Sequence, residues 1–403
     1  MPTLRGQVMT HINKTTKKVN TKSIKEQLDR DYPAYIGMDT HKETIAISVA
    51  DPGRGKPKFL TEIANDPKKV EKIVTTLSKK HNGEVLLFCY EAGPCGYVLY
   101  HQIKNLGHDC IVVAPSLIPT KASDRVKTDR RDANKLARYL RDGSLTSVWV
   151  PNAEQEAIRD LVRIRSDFKN HQKKAKQQLN GFILRHGHSW PREKSRWTKG
   201  YFTWLENLKF KHAWQQLVLQ EYIDAVKSAT LRLGEIDKSM IQAKSQWALS
   251  PIIDSLSALR GIDTLSAMTI IAELGDLTRF SHPSKLMAYL GLTPSEHTSS
   301  TKRRLGAITK AGNNAARRML VECAWSYRFP ARQTAHLKRK ARNASDYAQN
   351  VAWKAQKRLC GRYQTFIVSG KNSKQTIVAI ARELVGFIWD IVNHEMAKLN
   401  NKV

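Results

Sequence analysis

Five short apolar segments lie between Tyr35 and Pro151, and they restrict the fold of this part of the chain more than any other feature. Glycine, asparagine or proline separates them, and they read YIGMD, TIAISVA, KFLTEIA, VLLFCYE and CIVVAP. Such short runs of β-branched and aromatic residues are typical of strands, whereas the intervening PKKVEKIVTTLSKK has helical spacing. Three successive strands followed by alternating helices and strands predict an α/β sheet covered by helices.

The pattern changes after Pro151, where glycine becomes rarer and apolar residues recur at helical spacing. One run that starts near Glu156 and another from about Trp214 to Trp247 predict two long amphipathic helices, which we expect to form an antiparallel hairpin. The segment between them is aromatic and basic. We interpret it as a packed cap on the hairpin, in preference to a surface on which nucleic-acid bases stack.

A third region begins near Ile252. It opens with the layout of a helix-hairpin-helix motif, LRGIDTLSAMTIIAELGD, in which a turn at Gly261 would offer backbone amides to a DNA phosphate. From about Pro330 to Val403 the sequence predicts two further helices with basic faces.

The charge balance indicates the class of partner. The chain has 67 Lys and Arg against 36 Asp and Glu, a formal net charge of +31. A polyanion is the usual partner of such a surface, because neutralising phosphates releases condensed counterions. The five cysteines form no CxxC pair, which argues against a disulfide framework and against a zinc ribbon. A reduced, cytosolic compartment therefore fits best. We also expect neither a membrane span nor a signal peptide.

Four acidic residues stand out in so basic a chain. Asp39 ends the first predicted strand and Glu91 ends the fourth, whereas Asp129 and Asp132 are three residues apart on one face of a predicted helix. The strand order is that of a ribonuclease-H-like core, which would gather these carboxylates in one pocket. Oxygen ligands of this kind suit two Mg²⁺ ions, with Mn²⁺ as an alternative, and two-metal sites catalyse phosphoryl transfer.

Each acidic residue also has a simpler interpretation. An aspartate after a strand is usually a turn former, and the Asp129 and Asp132 pair could neutralise neighbouring arginines on a solvated helix. Lys127 and Arg130 could approach a scissile phosphate, but ion pairing is the role that we favour for both. The joint pattern of four acids across an α/β core is what favours the metal site.

A polar loop near residue 300 joins hydroxyls to cations. Thr298, Ser299, Ser300 and Thr301 directly precede Lys302, Arg303 and Arg304. A hydroxyl beside clustered cations can attack phosphorus, because the cations stabilise the alkoxide and the developing charge. Taken alone, however, the loop fits a phosphate-contacting or simply flexible segment better than a nucleophile.

Several motifs together resemble the DEDD-type transposases of bacterial insertion sequences, a family that includes the Piv-like DNA invertases and the bridge-RNA-guided serine recombinases. The resemblance spans roughly residues 35–150 and 250–330, and its motifs are GMDTHKETIAISVAD, YEAGPCGYVL, VVAPSLIPTKASDRVKTDRRDANKLARYL and the block from LRGIDTL to VECAW. It implies a RuvC-like N-terminal domain, a helical coiled-coil linker and a C-terminal transposase domain with a catalytic serine. Together with the composition of the two ends, it divides the chain into a basic flexible arm (1–33), the RuvC-like DEDD domain (34–150), the linker (151–250), the transposase domain with the serine loop (251–330) and a helical extension (331–403).

The resemblance also implies site residues and partners. Asp39, Glu91, Asp129 and Asp132 would hold the metal, and Ser299 would be the nucleophile, with Ser300 standing where family members have glycine. The serine would attack DNA to leave a phosphoserine link, and strand exchange would follow. The implied partners are target and donor DNA, a structured noncoding RNA and further copies of the chain in a dimer or tetramer, in the bacterial cytoplasm at the nucleoid.

Two other functions fit parts of the sequence. A RuvC-like metal-dependent nuclease, or an invertase with direct protein readout of DNA, would use the carboxylates without a guide RNA. A basic architectural protein would bind nucleic acid without catalysis. The complete set of four acids argues against the architectural protein, and the serine loop argues against simple hydrolysis.

Overall fold

The structure, a computed structural model, describes residues 30–119, 127–191, 193–297 and 304–401. These residues form two compact units, one ending at Val150 and the other beginning at Pro151. Within the described ranges, no helix is both long and apolar enough to cross a lipid bilayer.

A six-stranded sheet is the centre of the first unit as described. In chain order its strands are β1 (Tyr35–Thr40), β2 (Thr44–Ala50), β3 (Lys58–Ala64), β4 (Leu87–Glu91), β5 (Asp109–Val113) and β6 (Ser147–Val148). They lie in the spatial order β3-β2-β1-β4-β5-β6. β1, β2 and β3 form an antiparallel meander, β4 and β5 continue the sheet parallel to β1, and β6 is antiparallel at the edge.

The predicted α/β sheet is confirmed, and so are the five strands within two residues at their ends. The helix Pro67–Lys80, here α1, is also as predicted, and Asp66 caps it by accepting hydrogen bonds from the amides of Lys68 and Lys69. The short strand β6 was not predicted, because two residues are too few to show an alternating pattern.

Helices cover both faces of the sheet. α1 and α2 (Val98–Asn105) pack on the face formed by Ile36, Met38 and Phe88. α3 (Asp129–Arg141) packs on the opposite face through Leu136 and Leu140. Because successive side chains of a strand alternate between faces, the odd-numbered residues of β1 and β4 lie on the same side as α3.

The contact between α3 and β1 is unusually close at Gly37. A Cβ atom at this position would lie 2.2 Å from the Ala137 nitrogen and 2.5 Å from the Ala133 carbonyl oxygen. Only glycine on the strand and alanine on the helix allow the two backbones to approach this closely. The contact therefore fixes where α3 sits on the sheet.

A long helical hairpin begins the second unit. Its arms are α4 (Ala153–Arg185) and α6 (Ala213–Gln246), which confirms the predicted pair of long helices. The arms are antiparallel, since Arg165 pairs with Asp237 at 2.6 Å and Gln172 donates to the Thr230 hydroxyl at 3.0 Å.

The aromatic segment between the arms packs on the end of the hairpin. α5 (Lys199–Asn207) buries Tyr201 and Leu205 against Leu179 and Ile223 of the arms. The cap expected from the sequence is thus confirmed. It also includes five partly buried aromatic residues of this segment: Trp190, Trp197, Phe202, Trp204 and Phe210. The rings meet mostly edge to face or tilted.

The rest of the second unit is helical apart from one small hairpin. The helices are α7 (Ser250–Ser257), α8 (Thr264–Leu274), α9 (Pro283–Tyr289), α10 (Asn314–Ala324), α11 (Ala335–Lys340), α12 (Asp346–Val368) and α13 (Ser373–Asn400), and β7 (Pro294–Glu296) pairs with β8 (Leu305–Ile308). One hydrophobic core joins all of these helices except α11, on both sides of residue 330, to the base of the hairpin at Ile158 and Met240.

The expectation of basic faces on both C-terminal helices is wrong for α13. This helix carries three Lys or Arg residues and three Asp or Glu residues. It buries Ile377, Leu384, Ile388 and Ile391, so its apolar stripe makes it a central core helix. α12 carries the expected excess of cations.

We expect the substitution Gly37→Ala to destabilise the first unit by about 1–3 kcal/mol, because the added methyl group overlaps the backbone of α3. Urea unfolding followed by circular dichroism measures this effect. Gly55→Ala is the matched control, since a Cβ atom there meets nothing within 4 Å. Equal unfolding midpoints for the two variants would contradict the close packing described here.

Candidate metal centre

Two of the predicted carboxylates lie side by side on the sheet. β1 and β4 are adjacent and parallel, and Met38 pairs with Tyr90, so the next residues, Asp39 and Glu91, reach the same carboxyl edge. Both side chains are on the α3 side of the sheet, because they follow Gly37 and Cys89 by two residues. The register of two strands therefore brings together acids that are 52 positions apart in the chain.

The first turn of α3 adds the other two carboxylates. Thr128 caps this helix by accepting a hydrogen bond from the Arg131 amide, and Asp129 and Asp132 follow in the first turn. Acidic residues are favourable there because the amide groups at a helix N-terminus carry partial positive charge. The close contact at Gly37 holds this turn against the end of β1.

The tightest group consists of Asp39, His41 and Asp129, whose possible ligand atoms all lie within 4.8 Å of one another. The His41 Nε2 atom is 3.5 Å from Asp39 Oδ2 and 3.4 Å from Asp129 Oδ1. Glu91 and Asp132 are not in this group. The charges of Asp39 and Asp132 nevertheless act on Glu91, and the charge of Asp132 acts on Asp39.

The electrostatics of the site favour an added cation. Burial raises the pKa of Asp39, and the charges of Asp132 and Asp129 raise it further against the opposing effect of His41. Burial likewise raises the pKa of Glu91, and the charges of Asp39 and Asp132 add to it. A cation would stabilise all of these carboxylates in their charged form.

Two buried oxygens of the site accept no hydrogen bond from the described residues, and they are Asp39 Oδ2 and Asp132 Oδ2. Buried carboxylate oxygens are costly unless a donor or a metal satisfies them. Lys135 Nζ at 3.6 Å and Lys127 Nζ at 4.0 Å neutralise Asp132 in part. A set of carboxylate oxygens with orphaned members fits Mg²⁺ or Mn²⁺.

The sequence analysis missed His41. An exposed histidine two residues beyond a strand-end aspartate has no distinctive pattern, although the spacing Asp-x-His was the available signal. The turn that joins β1 to β2 is closed by a hydrogen bond from the His41 amide to the Thr44 carbonyl oxygen, and the imidazole lies between two of the predicted ligands.

The two cations beside the acidic pair behave differently. The Lys127 ammonium approaches Asp132, in line with the ion pairing favoured from the sequence. The Arg130 guanidinium instead lies over the Phe59 ring, 5.2 Å from its centre, and no acidic residue in the described ranges forms an ion pair with it.

The predicted nucleophile, Ser299, and its neighbour Ser300 lie outside the described residues. The two ends of their loop are described. The His297 amide donates to the Arg304 carbonyl oxygen at 2.9 Å, and on either side of this bond β7 and β8 pair with each other. Further along, the Lys310 amide bonds to the Gly291 carbonyl oxygen, and a Cβ atom at Gly312 would lie 1.8 Å from the Tyr289 carbonyl oxygen.

An ion pair with the buried Glu273 fixes the end of this segment. Glu273 receives hydrogen bonds from Arg163 at 2.9 and 3.2 Å and from the Asn313 side chain at 2.7 Å. Burial alone would raise the pKa of Glu273, but these hydrogen bonds lower it overall. Asn313 also caps α10 through the Ala316 amide, so one carboxylate ties together α4, α8 and the start of α10.

Two family models match the chain. A model of DEDD transposases of the IS110 type matches residues 36–187, and a model described as the transposase IS116/IS110/IS902 family matches residues 254–338. The first match includes all four predicted carboxylates, and the second includes Ser299.

Two curated relatives match over most of their length. The chain is 44% identical to the putative transposase y4qE of Sinorhizobium fredii over 360 residues, which is 89% of this chain and 88% of the relative. It is 31% identical to the transposase for insertion sequence element IS1533 of Leptospira borgpetersenii over 302 residues, which is 73% of this chain and 86% of the relative. The chain therefore belongs to the IS116/IS110/IS902 family of transposases.

Proposed function

We propose that this protein moves an insertion sequence by cutting and rejoining DNA strands in a metal-dependent reaction. The observation that carries the proposal is the convergence of Asp39, Glu91, Asp129 and Asp132 at one edge of the sheet, with two buried oxygens left without hydrogen bonds. In a merely structural acid cluster, cations or hydrogen bonds would satisfy every buried oxygen. Here Lys127 and Lys135 neutralise Asp132 only in part, and a bound metal ion would complete the set.

Asp39, Asp129 and Asp132 would hold the cations, with Glu91 on the neighbouring strand and His41 beside Asp39 and Asp129. Bound divalent cations stabilise the charge that develops on the attacking and leaving oxygens of a phosphodiester. The chain supplies the position: the β1–β4 register and the α3 contact preorganise the acids before substrate arrives. The meander followed by parallel strands supports a RuvC-like assignment for this unit.

Ser299 is our proposed nucleophile. Its hydroxyl would attack the phosphorus of a DNA strand and displace the 3′ or 5′ oxygen, which leaves with a proton, and the reverse attack by a strand hydroxyl would release the serine. Support comes from the cations that follow Ser299 in the chain and from the anchored stem of its loop. The link conserves the energy of the phosphodiester, which strand exchange requires.

We further propose that a structured RNA guides the choice of DNA and that the active assembly contains more than one copy of the chain. The formal charge of +31 supports a second polyanion besides DNA. The cations that remain exposed on α12 and around α11 offer a surface for it.

The substitution Asp39→Asn should abolish transposition of a marked element in cells and remove the rise in melting temperature that Mg²⁺ or Mn²⁺ gives the purified protein. Because burial and like charges raise the pKa of Asp39, the metal-free variant should be at least as stable as the parent above the ordinary aspartate pKa. Asp51→Asn, at an exposed position, is the control. Retained transposition in Asp39→Asn would refute the carboxylate assignment.

Ser299→Ala should abolish strand exchange and the covalent protein–DNA adduct, with DNA binding unchanged. The adduct is detected as a shifted band on a denaturing gel after reaction with labelled element ends. Ser300→Ala is the matched control and should keep at least part of the activity. Loss in Ser300→Ala alone would move the nucleophile by one residue, and full exchange in both variants would favour metal-dependent hydrolysis without a serine link.

Protein isolated from its host should carry one discrete structured RNA transcribed beside its gene. Sequencing of the bound RNA tests this expectation, because electrostatic contacts alone would retain a random mixture. A random mixture, or none, would indicate that the protein reads DNA directly.

A further inference from the structure

The loop Arg328–Arg332 crosses α12 and is held there by three hydrogen bonds. The Gln364 side chain donates to the Arg328 carbonyl oxygen at 3.1 Å, and Arg260 Nη1 donates to the Pro330 carbonyl oxygen at 2.8 Å. The Arg332 amide donates to Gln356 Oε1, also at 2.8 Å. Backbone groups at three positions of the loop are thus fixed, and Ala331 packs against the core, while Arg328, Phe329 and Arg332 are exposed.

The side chains that this loop presents are an aromatic ring and two guanidinium groups. Phe329 is 50% exposed, although the neighbouring Tyr327 is fully buried. The Arg328 guanidinium lies 4.6 Å from the centre of the Phe329 ring. Within the described part of the chain, no carboxylate forms an ion pair with Arg328 or Arg332.

The surroundings of the loop are strongly positive. Between Glu322 and Asp346 the sequence has no acidic residue, and its cations are Arg328, Arg332, Lys338, Arg339, Lys340 and Arg342. Lys340 is turned inward, where its ammonium donates to the carbonyl oxygens of Leu259 and Ile262. The other five are exposed or lie on the exposed loop.

We propose that this loop binds an unpaired nucleotide of a single-stranded nucleic acid, with the base on the Phe329 ring and the adjoining phosphates at Arg328 and Arg332. The inference rests on the proposed function, which supplies the polyanion. Exposed cations alone would suit any phosphate backbone, but a half-exposed ring on an anchored loop adds a stacking surface. Bases of an intact duplex are already stacked, so the ring selects an unpaired base.

The test measures binding of a short fluorescein-labelled strand of mixed sequence by fluorescence anisotropy, without divalent metal, once with DNA, once with RNA and once with a DNA duplex of the same sequence for comparison. Phe329→Leu keeps an apolar side chain but removes the aromatic face, and we expect it to weaken binding roughly tenfold. Phe329→Trp should restore parental affinity. Circular dichroism confirms that the variants are folded.

Salt dependence tests the phosphate contacts separately. Arg332→Gln should lower the slope of log affinity against log salt by about one, as expected for one lost phosphate contact. The hydrogen bond to Gln356 is donated by the backbone amide of Arg332 and not by its side chain, so the loop should stay in place. Lys227→Gln is the control, because Lys227 lies on the hairpin and Glu206 already neutralises it at 2.8 Å, and the salt slope of this variant should change little.

A loss with both strands, restored by Phe329→Trp, supports the site, and the strand that binds more tightly identifies the natural occupant. Equal affinity of Phe329→Leu and the parent overturns the inference while leaving the proposed function intact. If Phe329→Leu weakens binding of the duplex but not of the single strands, the inference is likewise overturned and the proposed function stays intact. A parent protein that binds neither strands nor duplex would overturn both.

Discussion

The approach of α3 to β1 at Gly37 is the contact on which the candidate metal centre depends. With a hydrogen atom in place of a side chain on the strand and two alanines on the helix, the two backbones come within van der Waals distance. This contact brings the first turn of α3 to the end of β1, so that Asp129 lies beside Asp39 and the charge of Asp132 acts on it. A helix at ordinary distance, with a side chain between, would leave these carboxylates too far apart to share a cation.

The carboxylates of this site repel one another, and burial makes their charged forms still less favourable. Burial and mutual repulsion raise the pKa of Asp39 and Glu91, so the charged forms are unfavourable in the protein alone. The two apolar faces of the sheet supply the free energy that holds the acids together regardless. Lys127 and Lys135 neutralise Asp132 in part, and the negative charge that remains would favour the binding of a cation.

The periodic spacing of apolar residues predicted most of the fold. Features that depend on a single residue were the hardest to predict. Strands and hairpin arms follow from the spacing of apolar residues, which burial enforces. The acids at Asp39 and Glu91 could be found because each ends an apolar strand, whereas His41 stands in a turn and gave no such contrast. The prediction of a basic face on α13 was wrong, because it considered the charged residues of this helix but not the apolar stripe that places the helix in the core.

The hairpin has a mechanical consequence. An arm of 33 residues extends about 50 Å at the usual rise of an α-helix, comparable to about fifteen base pairs of duplex DNA. Its base is clamped by Arg163 on Glu273, beside the core, and its far end carries the aromatic cap. A lever of this length multiplies rotation, so a tilt of about 10° at the base would displace the cap by roughly 9 Å. The ion pair of Arg163 with the buried Glu273 and the core contacts of Ile158 and Met240 therefore limit how far the tip can move.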